Sequence, residues 1–156
     1  MNSLKDNAAI IEAALLDLGI TATQARNEEE GQWTVYREDY EIYIDSWALG
    51  TEQQALFYFH ASDQPVFQVI CPFCHVPKDR YEEFLEELLD INIGLFKVSL
   101  GVRNEGGVVC VKYRSLATDL TKEEVLEALD AVAYCAELFG RIFQEKYSLR
   151  LMQRAD

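Results

Sequence analysis

The sequence predicts an α+β fold in which helices pack against an antiparallel sheet, in the order α-β-β-β-α-β-β-α. Three observations predict it. Apolar residues recur every three or four positions near both ends of the chain, a spacing typical of amphipathic helices. Between these ends the apolar period falls to two, which is typical of half-buried strands. Short turns join the strand-like stretches, so we expect successive strands to be antiparallel neighbours.

The first half of the chain begins with a helix predicted over residues 3–18, with Ser3 as its N-cap. Residues 21–31 are polar and acidic, and we expect a loop or an irregular edge strand there. Strand-like alternation then covers residues 33–36, 40–47, 54–60 and 66–71.

The second half begins with a helix expected to start near Pro77, where a missing N–H costs nothing, and to end at Gly94. Residues 96–103 and 108–115 alternate around Asn104-Glu105-Gly106-Gly107, whose glycines suit a hairpin turn. The chain is therefore expected to continue from this helix into a two-stranded hairpin.

The last helix carries the clearest local signal. Thr121-Lys122-Glu123-Glu124 predicts a capping box, in which the Thr121 hydroxyl accepts from the Glu124 N–H and the Glu124 side chain reaches back. The apolar stripe that follows includes small residues that would permit close approach of another element. Residues 1–156 are expected to form a single domain, with residues 148–156 frayed.

The charge of the chain limits its partners. With 27 acidic and 14 basic residues the net charge is −13, which repels nucleic acid and anionic membrane surfaces and would attract a basic protein or peptide. The start of the chain lacks the layout of a signal peptide. We therefore predict a cytoplasmic protein with no nucleic-acid or membrane partner, whose cysteines remain thiols.

The motif Cys71-Pro72-Phe73-Cys74-His75 has the spacing of haem-attachment and thiol-redox sites. Redox motifs place the first cysteine at a helix N-terminus, but here Pro77 puts the helix start after both thiols. Two small buried residues at a strand end are the favoured interpretation. A zinc site would need the alternative ligand set Cys71, Cys74, His75 and His60. We predict no catalytic residue, no metal and no cofactor.

Aromatic residues crowd the first half of the predicted sheet and fall on both of its faces, so one face is expected to be an interface. The interface candidates, for a partner or a dimer, are Trp33, Tyr43, Trp47 and Tyr58 in the sheet and Ala136, Phe139, Gly140 and Phe143 on the last helix.

Several segments resemble the YbjN family of small bacterial proteins, which are described as sensory-transduction regulators and have a type III secretion chaperone-like fold. They are Pro72-Phe73, Val76-Pro77-Lys78-Asp79-Arg80, Phe84, Leu85, Leu88 and Leu89, Ile91-Asn92, Phe96-Lys97-Val98-Ser99-Leu100 and the Gly106-Gly107 turn. The resemblance implies a non-enzymatic homodimer, and secretion chaperones of this fold hold an extended segment of a client.

The sequence therefore predicts a non-enzymatic, cytosolic, chaperone-like or regulatory domain that acts as a homodimer and holds a protein or peptide. Two alternatives stay open. One is a thiol-redox or metal-binding protein that uses Cys71 and Cys74, and the other is a small-molecule sensor with a pocket between sheet and helix.

Overall fold

The computed structural model describes residues 1–50, 63–103, 105 and 107–154. Its helices are α1 (Leu4–Asp17), α2 (Ala22–Ala25), α3 (Tyr81–Gly94) and α4 (Lys122–Tyr147). Its strands are β1 (Gln32–Arg37), β2 (Tyr40–Ala48), β3 (Pro65–His75), β4 (Val98–Arg103) and β5 (Val108–Leu116). The strand predicted over residues 54–60 and the turn residues Asn104 and Gly106 lie outside the described residues.

The five strands form one antiparallel sheet in the order β1-β2-β3-β5-β4. The predicted α+β class is therefore confirmed. β3 lies at the centre of the sheet, and side chains on both of its faces are buried. A central strand of this kind reads as a nearly continuous apolar run rather than an alternating one, which is what residues 65–74 show.

The core lies between the sheet and the long helix α4, which packs on β3 and β5, while α1 packs on α4. Phe143 of α4 is fully buried at its centre. Its ring centroid lies 6.3 Å from that of Phe73 on β3 and 5.1 Å from that of Phe84 on α3. Aromatic contacts at these distances add to the stabilisation from burial, so three elements meet at one ring.

Both predicted helix caps are present. Ser3 forms a complete capping box with Asp6, and the Thr121 hydroxyl accepts a hydrogen bond of 3.1 Å from the Glu124 N–H. The prediction that the Glu124 side chain reaches back to the Thr121 backbone is wrong. The Glu124 carboxylate instead accepts hydrogen bonds from the hydroxyls of Tyr113 (2.8 Å) and Ser115 (2.9 Å), because β5 passes alongside the start of α4.

Three predicted boundaries are wrong. Residues 21–31 include the short helix α2 rather than only a loop or strand. β3 runs through the whole Cys71–His75 motif, with a bulge between Pro72 and Cys74 that accommodates the proline. α3 begins at Tyr81 rather than near Pro77, because the Val76 N–H donates to the Gly107 carbonyl and Arg80 is left-handed at a φ of 60°.

Residues 148–154, called the tail below, are not frayed as predicted. The paired register of β2 along β3 ends at Ile70, which leaves the backbone of residues 73–75 open on that side. The tail fills the gap: the His75 N–H donates to the Arg150 carbonyl (2.8 Å) and the Met152 N–H donates to the Phe73 carbonyl (2.9 Å). Long-range strand pairing of this kind has no local sequence signal.

Candidate protein-binding surfaces

Both cysteines of the motif lie in the interior of the central strand. Cys71 and Cys74 are free thiols and buried. Burial raises the pKa of Cys71 to about 12 and the pKa of Cys74 well above its ordinary value, and the neighbouring Cys110 acts in the same direction. A reactive cysteine needs a lowered pKa and access to solvent. The surroundings of these two thiols therefore favour the interpretation that they are core residues.

The alternative set of zinc ligands does not come together in the part of the chain that the structure describes. Cys71, Cys74 and His75 form no group of three potential ligands there, nor does any other set of His, Cys, Asp or Glu. The fourth member of the set, His60, lies outside the described residues.

Four of the predicted interface residues are buried within the chain itself: Trp33, Ala136, Gly140 and Phe143. The Trp33 indole N–H donates to the Glu12 carboxylate at 3.1 Å, and that carboxylate also accepts two hydrogen bonds from Arg26. These residues are core because α1 and the tail, together with α4 and the sheet, supply the covering surface that the prediction assigned to a partner.

Gly140 on the α4 stripe does permit the close approach of another element, but the elements that approach it belong to the same chain. A Cβ at Gly140 would lie 2.7 Å from the Tyr40 hydroxyl, 3.5 Å from Leu151 of the tail and 3.8 Å from Phe73. The first of these distances is shorter than real Cβ contacts, so any larger residue at Gly140 would displace the Tyr40 ring. The lack of a side chain at Gly140 thus leaves space for the side chains of Tyr40 and Leu151.

Three other candidates are half-buried, namely Tyr43, Trp47 and Phe139. Phe139 stacks on Phe143 at a centroid distance of 5.9 Å. The Arg114 guanidinium lies 5.3 Å from the Trp47 ring. Tyr58, the remaining candidate, lies outside the described residues.

The sequence-based prediction missed the most exposed apolar surface of the described chain. Leu89 is 68% exposed, Ile93 87% and Phe96 90%. These three residues, called the α3 surface below, lie on the last turns of α3 and just after it. The signal was present, because Leu85, Leu89 and Ile93 recur every four residues beside the buried stripe of Phe84 and Leu88. A single sheet face can cover only one apolar stripe of a helix, so the second stripe of α3 stays exposed.

The α3 surface is held in a fixed position. The Asn92 side chain donates to the Leu100 carbonyl (2.9 Å) and accepts from the Leu100 N–H (2.7 Å). This amide therefore bonds both backbone groups of a residue on the edge strand β4. The last turn of α3 is tied to the sheet, and its apolar side chains are presented on a rigid element.

A known protein family matches most of the chain. The family described as "Putative bacterial sensory transduction regulator", YbjN, matches residues 7–145. The chain belongs to the YbjN family. A search of curated proteins finds no match.

Solved structures share the fold. The structure of the ExsC–ExsE complex is similar at a TM-score of 0.65 and 16% identity, covering 91% of this chain and 96% of that one. The type III secretion chaperone SycH of Yersinia pestis, in complex with a fragment of YscM2, has a TM-score of 0.57 and 11% identity over 83% of this chain and 96% of that one.

The third comparison lies within the family. YbjN from E. coli has a TM-score of 0.53 and 12% identity, covering 93% of this chain and 95% of that one. The predicted type III secretion chaperone-like fold and YbjN membership are both confirmed. Within the described residues, no helix is both long and apolar enough to cross a bilayer.

Proposed function

We propose that this chain is a non-enzymatic cytoplasmic protein that forms a homodimer and holds a protein partner in a chaperone-like or regulatory role. The α3 surface is the observation that carries the proposal. Family membership supports it, and so does the fold, since similar structures were solved as complexes of a chaperone with a protein.

The α3 surface has the properties of a dimer interface. Burying a large apolar side chain contributes roughly 1.5–3 kcal/mol, and contiguous exposed apolar residues mark interaction sites. A two-fold interface uses the same patch on both subunits, so the patch must complement itself. Leu89, Ile93 and Phe96 carry no charge, so burying these three side chains against a second copy requires no charged group among them to lose its water.

The partner is proposed to be a basic protein segment. The net charge of −13 gives the chain a field that attracts positive groups and speeds their encounter. The same field opposes phosphate backbones, which argues for a protein rather than a nucleic-acid partner.

The proposal is tested by isolating the tagged full chain from its native cell at low salt and measuring the mass of what elutes by light scattering. We expect a complex of two copies of the chain with a partner polypeptide, and we expect the partner to be released when the salt concentration is raised. A chain that elutes alone and monomeric under both conditions would contradict the proposal.

A further inference from the structure

The tail binds β3 in the manner of an added peptide strand. The hydrogen bonds of His75 and Met152 described above pair its backbone with residues 73–75, and Leu151 bridges Cys74 in antiparallel orientation. Main-chain hydrogen bonds of this kind supply affinity in strand addition, and the alternate side chains supply specificity.

Two leucines of the tail are its apolar anchors. Leu149 is buried in the core, and Leu151 packs where Gly140, Phe73 and Tyr40 meet. Arg150 lies between them and is exposed. The site therefore accepts leucine at alternate positions and a polar residue between the two.

The far end of the tail is held by an arginine. The Arg154 guanidinium lies 4.6 Å from the Tyr36 ring centroid, and the Arg154 backbone N–H donates to the Asp39 carbonyl at 2.6 Å. A cation over an aromatic ring is stabilised by the ring's negative face. The near end of the tail lines an open cavity of about 570 Å³ together with residues 75–79.

We propose that this groove, defined by residues 73–75, Gly140, Tyr40 and Tyr36, is a peptide-binding site for a partner protein and that the tail occupies it in the free chain. The partner segment it takes is extended and basic, with the pattern Leu-x-Leu-x-x-Arg shown by Leu149, Leu151 and Arg154. This inference rests on the proposed function, because it names where and in what form the partner binds.

The test uses a dye-labelled peptide with the sequence of residues 148–156 and the full-length chain, with binding followed by fluorescence anisotropy. The substitution Leu151→Asp, and the milder Leu151→Ala, weaken the binding of the chain's own tail to the groove. We expect either variant to bind the peptide at least about tenfold more tightly than the wild type, since a tethered tail competes at a high effective concentration. A peptide with Asp at the position of Leu151 is the matched control and is expected not to bind.

Hydrogen exchange measures the occupancy of the groove separately, through the protection of the His75 amide. In the Leu151 variants the His75 amide is expected to lose protection, and the added peptide is expected to restore it. Gly140→Ala in the same background places a Cβ against Tyr40 and is expected to reduce peptide affinity about tenfold or more.

The experiments distinguish a failure of the groove proposal from a failure of the proposed homodimer. Equal binding of the peptide by wild type and variants, equal binding of the Asp-substituted peptide, or no restored protection at His75 would overturn the groove. A variant that carries Leu89→Asp as well as Leu151→Ala is expected still to bind the peptide, because Leu89 lies outside the groove. A monomeric wild type that passes the peptide test would therefore overturn the homodimer alone.

Discussion

The helices α4 and α3 both carry apolar stripes, but the chain's own elements cover more of the stripe on α4 than of those on α3. The apolar stripe of α4 is buried beneath β3, β5, α1 and the tail. α3 buries Phe84 and Leu88 against the body of the protein but leaves Leu89 and Ile93 exposed. Apolar content alone therefore does not decide which helix keeps exposed apolar residues. The number of elements that the chain itself can place over a helix decides it.

The largest expected effect comes from the covered helix. Phe143→Ala removes a fully buried ring that contacts Phe73, Phe84 and Phe139. We expect it to lower the free energy of unfolding by about 3–5 kcal/mol, since truncation of a buried phenylalanine loses transfer energy and leaves a cavity. Urea denaturation followed by circular dichroism measures this loss.

The same substitution in the α3 surface is expected to have a much smaller effect. Phe96→Ala removes a ring that is almost entirely exposed, and at protein concentrations too low for association we expect a change within about 0.5 kcal/mol. At higher concentrations a loss should appear if the ring lies in the proposed dimer interface. Equal costs for the two substitutions at low concentration would contradict the assignment of core and surface.

Alkaline pH tests the burial of the thiols on β3. The pKa of Cys71 is about 12 in the folded chain, against an ordinary value of 9.0. Above pH 9 the unfolded state loses this proton while the native state keeps it. The free energy of unfolding therefore falls as pH rises, by up to about 1.4 kcal/mol per pH unit for each such thiol.

The measurement is a series of urea unfolding curves between pH 8 and about pH 9.5. At higher pH the unfolded chain also loses the protons of Tyr40 and Tyr113, which the native chain keeps because burial raises their pKa from 10.0 to about 12. Cys71→Ala is the control and should make the pH dependence shallower. Stability that is flat across this range would show that the thiols are accessible in the folded chain and would revive the redox alternative.

The smallest expected effect is at the start of α4. Thr121→Ala removes the hydroxyl that caps Glu124 and should cost about 1 kcal/mol, whereas Thr121→Ser keeps the hydroxyl and should cost much less. Thermal unfolding of the two variants measures the difference. If both lose the same stability, the hydrogen bonds from Tyr113 and Ser115 to Glu124 hold the helix start without the cap.

Much of the fold follows from local patterns. The caps at Ser3 and Thr121, the alternation in β2 and β5 and the periodicity of α4 depend on residues a few positions apart, and each predicted its element. The extension of β3 through Cys71–His75 was missed because Pro72 and Pro77 indicate a break locally. The bulge opposite β5, together with a hydrogen bond from Val76 to the distant Gly107, keeps the chain extended there.

The binding surfaces were predicted less well, because exposure depends on contacts that are distant in sequence. Ala136, Gly140 and Phe143 were predicted to contact a partner or a second copy, but α1 and the tail cover them. The pairing of the tail with residues 73–75 requires the pairing of β2 along β3 to end at Ile70, which no pattern in residues 148–154 reveals. Leu89 and Ile93 did carry a usable signal, their spacing of four.

Sedimentation equilibrium over a wide concentration range tests whether the exposed apolar surface of α3 is the proposed dimer interface. We expect the wild-type chain to be a dimer and Ile93→Asp to be a monomer that keeps its fold. Leu16→Asp is the control, because Leu16 is also an exposed aliphatic residue on a helix (63%) but lies on α1, away from the α3 surface, and this variant should remain dimeric. A wild type that stays monomeric throughout, or a Leu16 variant that dissociates as readily as the Ile93 variant, would contradict the account.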